Sequence, residues 1–230
     1  MEAAAIVLAA GAGTRMKSKK PKVAHEVLGK PLVRWVVDAA HAAGVTQVAT
    51  VVGHAREQVI PLVESDTQVV VQEVQNGTAG AVLACADAFA GFDGSLSVLT
   101  GDCPLIKPET IARLAQVRDE NNAAVVVLTM KLDDPTGYGR IIRDADGQVE
   151  RIVEQKDATP EEAAVNECNS GFYCFDARAL FDALSQVNSD NAQGEFYLTD
   201  VLAISRAAGR PVKGSPHDVA RPSPARRAAE

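Results

Sequence analysis

Apolar stretches alternate with amphipathic ones through the first half of the chain. Ile6–Leu8 reads as a buried strand, and Pro31–Ala43 as a helix with Leu32, Val33, Val36, Val37 and Ala40 on one face and Gly44 past its end. Val48–Val52 predicts the next strand, Ala55–Val63 a weak helix, and Gln68–Gln72 a further strand. Thr78 is placed to cap a helix running to about Phe89, with Gly91 as its stop. Leu96–Thr100, Pro108–Asn121 and Ala123–Leu132 continue as strand, helix and β-branched strand. This order predicts an α/β, Rossmann-like fold, a mainly parallel sheet flanked by helices on both faces. Ligands of such sheets sit beyond the carboxyl ends of the strands, near a switch in strand order.

The second half changes rhythm. Tyr138–Asp144 and Val149–Gln155 flank Asp146-Gly147, a hairpin signal. Thr159-Pro-Glu-Glu is a capping box with Pro160 at the first helical position. Gly171–Phe175 reads as a strand, Ala177–Val187 as a helix, and Glu195–Ala208 as a helix stopped by Gly209. The expected organisation is one domain over residues 1–212, with a nucleotide-type part to about 132 and a smaller hairpin-and-helix part over about 133–212. Residues 213–230, rich in Pro, Arg and Ala, read as an exposed tail.

With 230 residues, 47% of them hydrophobic, the chain can bury a sizeable core. A net charge of -7 argues against a general nucleic-acid surface. Cys85, Cys103, Cys168 and Cys174 form no CxxC pair and read as free thiols in apolar surroundings. The first residues lack the basic start of a signal peptide, and no apolar run is long enough to span a membrane, so a cytoplasmic protein is expected.

Against that acidic background, Leu8-Ala-Ala-Gly-Ala-Gly-Thr-Arg-Met and Pro21-Lys22 concentrate Arg15, Lys17, Lys19, Lys20 and Lys22 within about one loop. Small residues let backbone N–H groups approach phosphate oxygens, and the cations supply charge where a triphosphate would sit. A plain strand-to-helix turn explains the glycines alone, since neither a Walker A loop nor the third glycine of a dinucleotide fingerprint is present. Arg15 and Lys22 are the candidate phosphate ligands; Lys17, Lys19 and Lys20 read as solvated. Asp102, just after a strand and Gly101, suits either a hard cation or a turn before Pro104.

The same blocks, with Asn76-Gly-Thr-Ala-Gly, Gly101-Asp-Cys-Pro-Leu, Thr136-Gly-Tyr-Gly-Arg-Ile, Val153-Glu-Gln-Lys-Asp-Ala, Asn169-Ser-Gly and Asn191-Ala-Gln-Gly-Glu-Phe-Tyr-Leu-Thr-Asp, resemble the sugar-phosphate nucleotidylyltransferases. The likeness runs from about Ala5 to Val212 and is strongest to the uridylyltransferase domains of the bifunctional enzymes that make UDP-N-acetylglucosamine. The resemblance implies the nucleotide-diphospho-sugar transferase fold, UTP and N-acetylglucosamine 1-phosphate as substrates, and Mg²⁺ as cofactor. It places Leu8, Ala9, Ala10, Gly11, Gly13, Lys22, Thr100, Gly101 and Asp102 around the nucleotide's phosphates, with Asp102 on the metal. Gln72, Gly77 and Thr78 match positions that contact uracil; a Gln amide offers both a donor and an acceptor to a pyrimidine edge. Gly139, Glu154, Asn169, Tyr197 and Thr199 match positions around the sugar phosphate. Arg15, Lys22 and Asp102 would carry the catalysis. The four histidines show no ligand spacing, and an already anionic sugar phosphate needs no general base.

Two departures accompany the resemblance. No hexapeptide-repeat region is present, so acetyltransferase activity is not expected and the sequence supports no oligomer. The family's second metal ligand is an Asn in a Gly-Val-Asn block, whereas this chain reads Gly214-Ser-Pro-His-Asp-Val, with Asp218 the substitute at hand. A nucleotide- or sugar-nucleotide-binding protein with little turnover, or an enzyme for a different sugar 1-phosphate, are the alternative readings.

Overall fold

The computed structural model describes residues 2–13, Met16 and residues 18–216. In chain order the strands are β1 (Ala3–Ala9), β2 (Glu26–Val27), β3 (Lys30–Pro31), β4 (Gln47–Val52), β5 (Gln68–Val71), β6 (Ser95–Thr100), β7 (Val125–Lys131), β8 (Arg140–Arg143), β9 (Val149–Val153), β10 (Glu167–Asp176) and β11 (Val212–Pro216). The helices are α1 (Leu32–Ala42), α2 (Arg56–Val63), α3 (Thr78–Leu83), α4 (Pro108–Glu120), α5 (Pro160–Ala163), α6 (Ala177–Leu184) and α7 (Asp200–Ala207).

β1 is buried on both faces, and its alternating residues feed two cores. Ala4 and Ile6 join a cluster with α3, α6 and α7, while Ala5, Val7 and Ala9 join one with α1, α2 and α4. That sandwiching is why its sequence is a continuous apolar run rather than an alternating one. The main row of the sheet is β11-β7-β10-β6-β1-β4-β5. β1 pairs in parallel with both β4 and β6, so the chain steps outward to β5 and then returns to the other side of β1. The switch point lies between β1 and β6, where Leu8 stands opposite Thr100.

β10 is antiparallel to both β6 and β7. It carries its first residues toward the edge where the parallel strands end. β8 and β9 form the hairpin expected around Asp146-Gly147, and the capping box at Thr159 is complete, with Pro160 at the first position of α5.

Several expectations are corrected. Thr78 is not the cap of α3: Gly77 holds that position, and the Thr78 hydroxyl accepts the Leu198 N–H at 3.0 Å. The helix expected to Phe89 stops at Leu83, and a 3-10 turn follows at Asp87–Phe89. The helix expected from Glu195 begins at Asp200. The Asn191 side chain accepts from the N–H groups of Gln193 and Glu195 and donates to the Glu195 carbonyl at 2.6 Å. A side chain that satisfies the backbone locally holds a turn in place of a helix. The strand expected at Gly171–Phe175 starts earlier, at Glu167, with an irregularity between Asn169 and Tyr173.

The exposed tail is corrected at its start. Val212–Pro216 is an edge strand, parallel to β7, at a position where Pro is tolerated. A Cβ on Gly214 would lie 2.9 Å from the Arg143 guanidinium and 3.0 Å from Val149, so a side chain here would have to displace the Arg143 tip and crowd the hairpin. Residues 217–230, including Asp218, lie outside the described residues.

Candidate functional site

At the switch point, backbone and charge meet. The Gly101 N–H donates to the Leu8 carbonyl at 2.9 Å, and a Cβ on Gly101 would stand 2.8 Å from that oxygen. The end of β6 is thereby drawn against the end of β1. Gly13 takes a left-handed φ of 59°, and a Cβ there would meet the Lys22 Cβ at 2.8 Å. Gly13 thus lets the Lys22 side chain cross the loop. Lys22 Nζ reaches Asp102 Oδ2 at 2.8 Å, with side chains 18% and 21% exposed. A pair so placed is sheltered yet open to a ligand.

Ala9 and Ala10 are buried beside it, and Gly11 is exposed. The Thr100 Oγ1 is buried with no hydrogen-bond partner among the described residues. Lys20 is spent on Glu26, at 3.3 Å on the surface, in keeping with a solvated role. Arg15, like Thr14 and Lys17, lies outside the described residues.

Along the same rim, Gln72 follows β5 and is only 7% exposed. Its Nε2 donates to Asn76 Oδ1 at 3.2 Å and to the Gly77 carbonyl at 3.1 Å. Both N–H groups are thereby engaged inside the protein, which differs from the expectation of an amide with both halves free for a ligand. Gly77 has φ 114°, and a Cβ there would lie 2.4 Å from the Phe196 carbonyl oxygen. Phe196 clamps this turn through its N–H to the Asn76 carbonyl and its carbonyl to the Ala79 N–H.

The residues matched to the sugar phosphate gather on the other side of the switch point. The Asn169 N–H donates to the Gly139 carbonyl at 2.9 Å, and its Nδ2 donates to the Tyr173 hydroxyl at 2.6 Å. Its Oδ1 accepts from the Gly171 N–H at 3.0 Å, fixing the irregularity in β10. Gly171, at φ 84°, passes within 3.1 Å of the Thr100 methyl if given a Cβ, which seats this turn against the end of β6. A Cβ on Gly139 would stand 3.0 Å from Ile152 and 3.3 Å from Glu154 Oε1. The Thr199 hydroxyl donates to that carboxylate at 3.4 Å. The Tyr197 hydroxyl donates to Asp157 at 3.3 Å and accepts from Gln193 at 2.8 Å; burial raises its pKa first, and the neighbouring Asp157 and Glu154 add to the shift.

Three supporting residues escaped the sequence reading. Asp157 binds both Tyr197 and the Ala192 N–H, tying the 191–199 loop to the end of β9. Tyr173 orients Asn169. Arg140, 2% exposed, bonds the Ala163 and Tyr138 carbonyls and Gln155 Oε1, which also accepts the Gly137 N–H. Asp157 and Arg140 sit inside the Glu154-Gln-Lys-Asp and Gly-Tyr-Gly-Arg blocks; that position was their signal.

Among the described residues, no group of three or more His, Cys, Asp and Glu side chains is gathered into a metal cage. Asp102 alone fits a hard cation, of the kind that takes one or two carboxylates and completes its shell with phosphate oxygens and water. The four cysteines are free, and burial pushes the thiols of Cys85 and Cys174 up to about 12, which leaves them inert.

A mainly parallel sheet with a glycine-bearing loop and a lysine–aspartate pair across its switch point is the architecture of an α/β protein of nucleotidyltransferase fold. The model of the MobA-like NTP transferase domain matches residues 5–202, and the chain belongs to that family. It is 50% identical over 217 residues to the bifunctional protein GlmU of Corynebacterium efficiens, covering 91% of this chain and 45% of that protein. The corresponding figures for bifunctional protein GlmU of Lactobacillus johnsonii are 52% over 207 residues, 90% and 45%. The chain thus spans about half the length of the curated relatives it matches.

Two solved structures share the fold. A UDP-glucose pyrophosphorylase complexed with UDP-glucose superposes with a TM-score of 0.76 at 19% identity, covering 94% of this chain and 90% of that one. A putative glucose-1-phosphate thymidylyltransferase from Bacillus anthracis gives 0.79 at 20%, covering 94% and 87%. Among the described residues, no helix is long and apolar enough to cross a membrane.

Proposed function

We propose that the chain transfers a uridylyl group from UTP to N-acetylglucosamine 1-phosphate, giving UDP-N-acetylglucosamine and pyrophosphate. The observation that carries this reading is the Lys22–Asp102 pair at the switch point. The Gln72–Gly77 turn flanks it on one side, and the Gly139–Glu154–Asn169–Thr199 group on the other. An oxygen of the sugar phosphate attacks the α-phosphorus in line; a P–O bond forms there and the bond to the β-phosphate oxygen breaks, releasing pyrophosphate. The nucleophile is already an anion, so the chain's work is positioning and charge stabilisation.

Lys22, together with Arg15, would offset charge on the triphosphate and the transition state. Asp102 would hold Mg²⁺. Bound there, Mg²⁺ would supply Lewis-acid neutralisation of the reacting phosphates. Lys22 balances the Asp102 carboxylate until ligands arrive. Glu154 and Thr199 would bind sugar hydroxyls, Asn169 would be held by Tyr173 and the Gly139 carbonyl, and Gly139 would leave room for the N-acetyl group.

The test is turnover of the full chain with UTP, N-acetylglucosamine 1-phosphate and Mg²⁺. Pyrophosphate and the sugar nucleotide should form together, saturably in both substrates. Saturable UTP binding without pyrophosphate would point to a binding protein, and faster turnover of another sugar 1-phosphate or nucleotide would reassign the substrate.

A further inference from the structure

The Gln72 side chain can present either half of its amide to a ligand, and which half it presents is settled by two neighbours. A carbonyl oxygen only accepts, so the Gln72 group facing the Gly77 carbonyl at 3.1 Å is the NH₂. Its second N–H is taken by Asn76 Oδ1 at 3.2 Å. The Asn76 side chain in turn lies over Gly80 in α3. A Cβ on Gly80 would be 1.8 Å from Asn76 Oδ1 and 2.7 Å from its Cγ. No side chain at position 80 is compatible with this rotamer, although an alanine there would otherwise suit a helix better than glycine.

We infer that Asn76, seated on Gly80, is a positioning residue that locks Gln72 as an acceptor-only reader of the nucleobase. Oε1 then favours a base whose facing ring atom carries hydrogen, the imide N–H of a uracil-type base. It disfavours the bare ring nitrogen at the same place in cytosine, whose lone pair would face a carbonyl oxygen. The inference rests on the proposed UTP specificity but reaches beyond it. It assigns discrimination to a residue that need not touch the nucleotide, and to a glycine on the far side of it.

The experiment measures dissociation constants for UTP and CTP with the full chain, by calorimetry, alongside turnover. The wild-type protein should prefer UTP. In Asn76→Ala, Gln72 keeps only its bond to the Gly77 carbonyl, so turning its NH₂ outward costs one hydrogen bond in place of two, and the preference should fall about tenfold, the loss expected for one directed hydrogen bond. Gly80→Ala should do the same, because its methyl expels the Asn76 side chain. Asn76→Asp retains the acceptor and should keep the wild-type preference.

The Asn76→Ala/Gly80→Ala double variant should match Asn76→Ala alone, since both changes remove one interaction. A Gly80→Ala protein with the wild-type preference, additive effects in the double variant, or a wild-type protein that binds both nucleotides equally would each overturn the assignment. Absence of turnover with the expected changes in binding preference would sink the proposed reaction and leave this assignment standing.

Discussion

The side of the site proposed for the nucleotide and the side proposed for the sugar phosphate are built by different means. On the nucleotide side, the ends of parallel strands arrive in register, with Leu8 opposite Thr100 and the Gly101 N–H on the Leu8 carbonyl. Lys22 stands there part-exposed and paired with Asp102. On the sugar side, Glu154 after β9, Asn169 and Tyr173 of β10, and Tyr197 and Thr199 of the 191–199 loop come from three stretches, and hydrogen bonds among them or to Asp157 hold their polar groups. A polyphosphate needs charge and close backbone approach, which a strand edge offers cheaply. A sugar offers hydroxyls in fixed directions, and a polar network is required to match them. The two sides should therefore fail differently.

The largest effect separates them most sharply. Lys22→Ala removes the charge at the phosphates and leaves Asp102 without that ion pair; kcat should fall by about 10²–10³, or roughly 3–4 kcal/mol, with KM for the sugar phosphate changed less than about threefold. Steady-state pyrophosphate release checks it, and a large rise in that KM would mean that the two sides are coupled. Gly139→Ala presses a methyl toward Ile152 and Glu154, and should raise KM for the sugar phosphate about tenfold while UTP binding is unchanged.

The smallest effect probes the stability of the sugar side. Asp200, at the start of α7, has its pKa raised by burial first and by the neighbouring Asp157 charge second. A carboxylate with a raised folded-state pKa binds more protons when folded, so stability declines as pH climbs from the unfolded value through the folded one. Asp200→Asn removes that penalty and should raise the unfolding midpoint by about 1–2 °C at pH 7 and less near pH 4, as thermal melts would record. An equal shift at both pH values would place the strain elsewhere.

The same contrast governs how much was legible beforehand. The βα units announced themselves because a strand buried on both faces is a short apolar run and a covering helix has a period, both local facts. The glycine-bearing loop and Asp102 were visible because each closely follows such a strand. Gln72 was visible as a position, but its available half was not, because the orientation depends on Gly77 and Asn76 after the chain turns. The helix expected from Glu195 failed where Asn191 and Phe196 diverted the backbone into partners of their own.

What the order of residues determined alone was the sequence of elements, the class of fold, and the small-residue and charged positions at the strand ends, since these follow from propensity and periodicity within a few residues. Tertiary structure alone decided that β10 enters between β6 and β7, that Val212–Pro216 closes the sheet edge, that Lys22 meets Asp102, and that Gly80 admits Asn76. Those outcomes depend on pairing, register and close approach between segments far apart in the chain, and no local pattern carries that information.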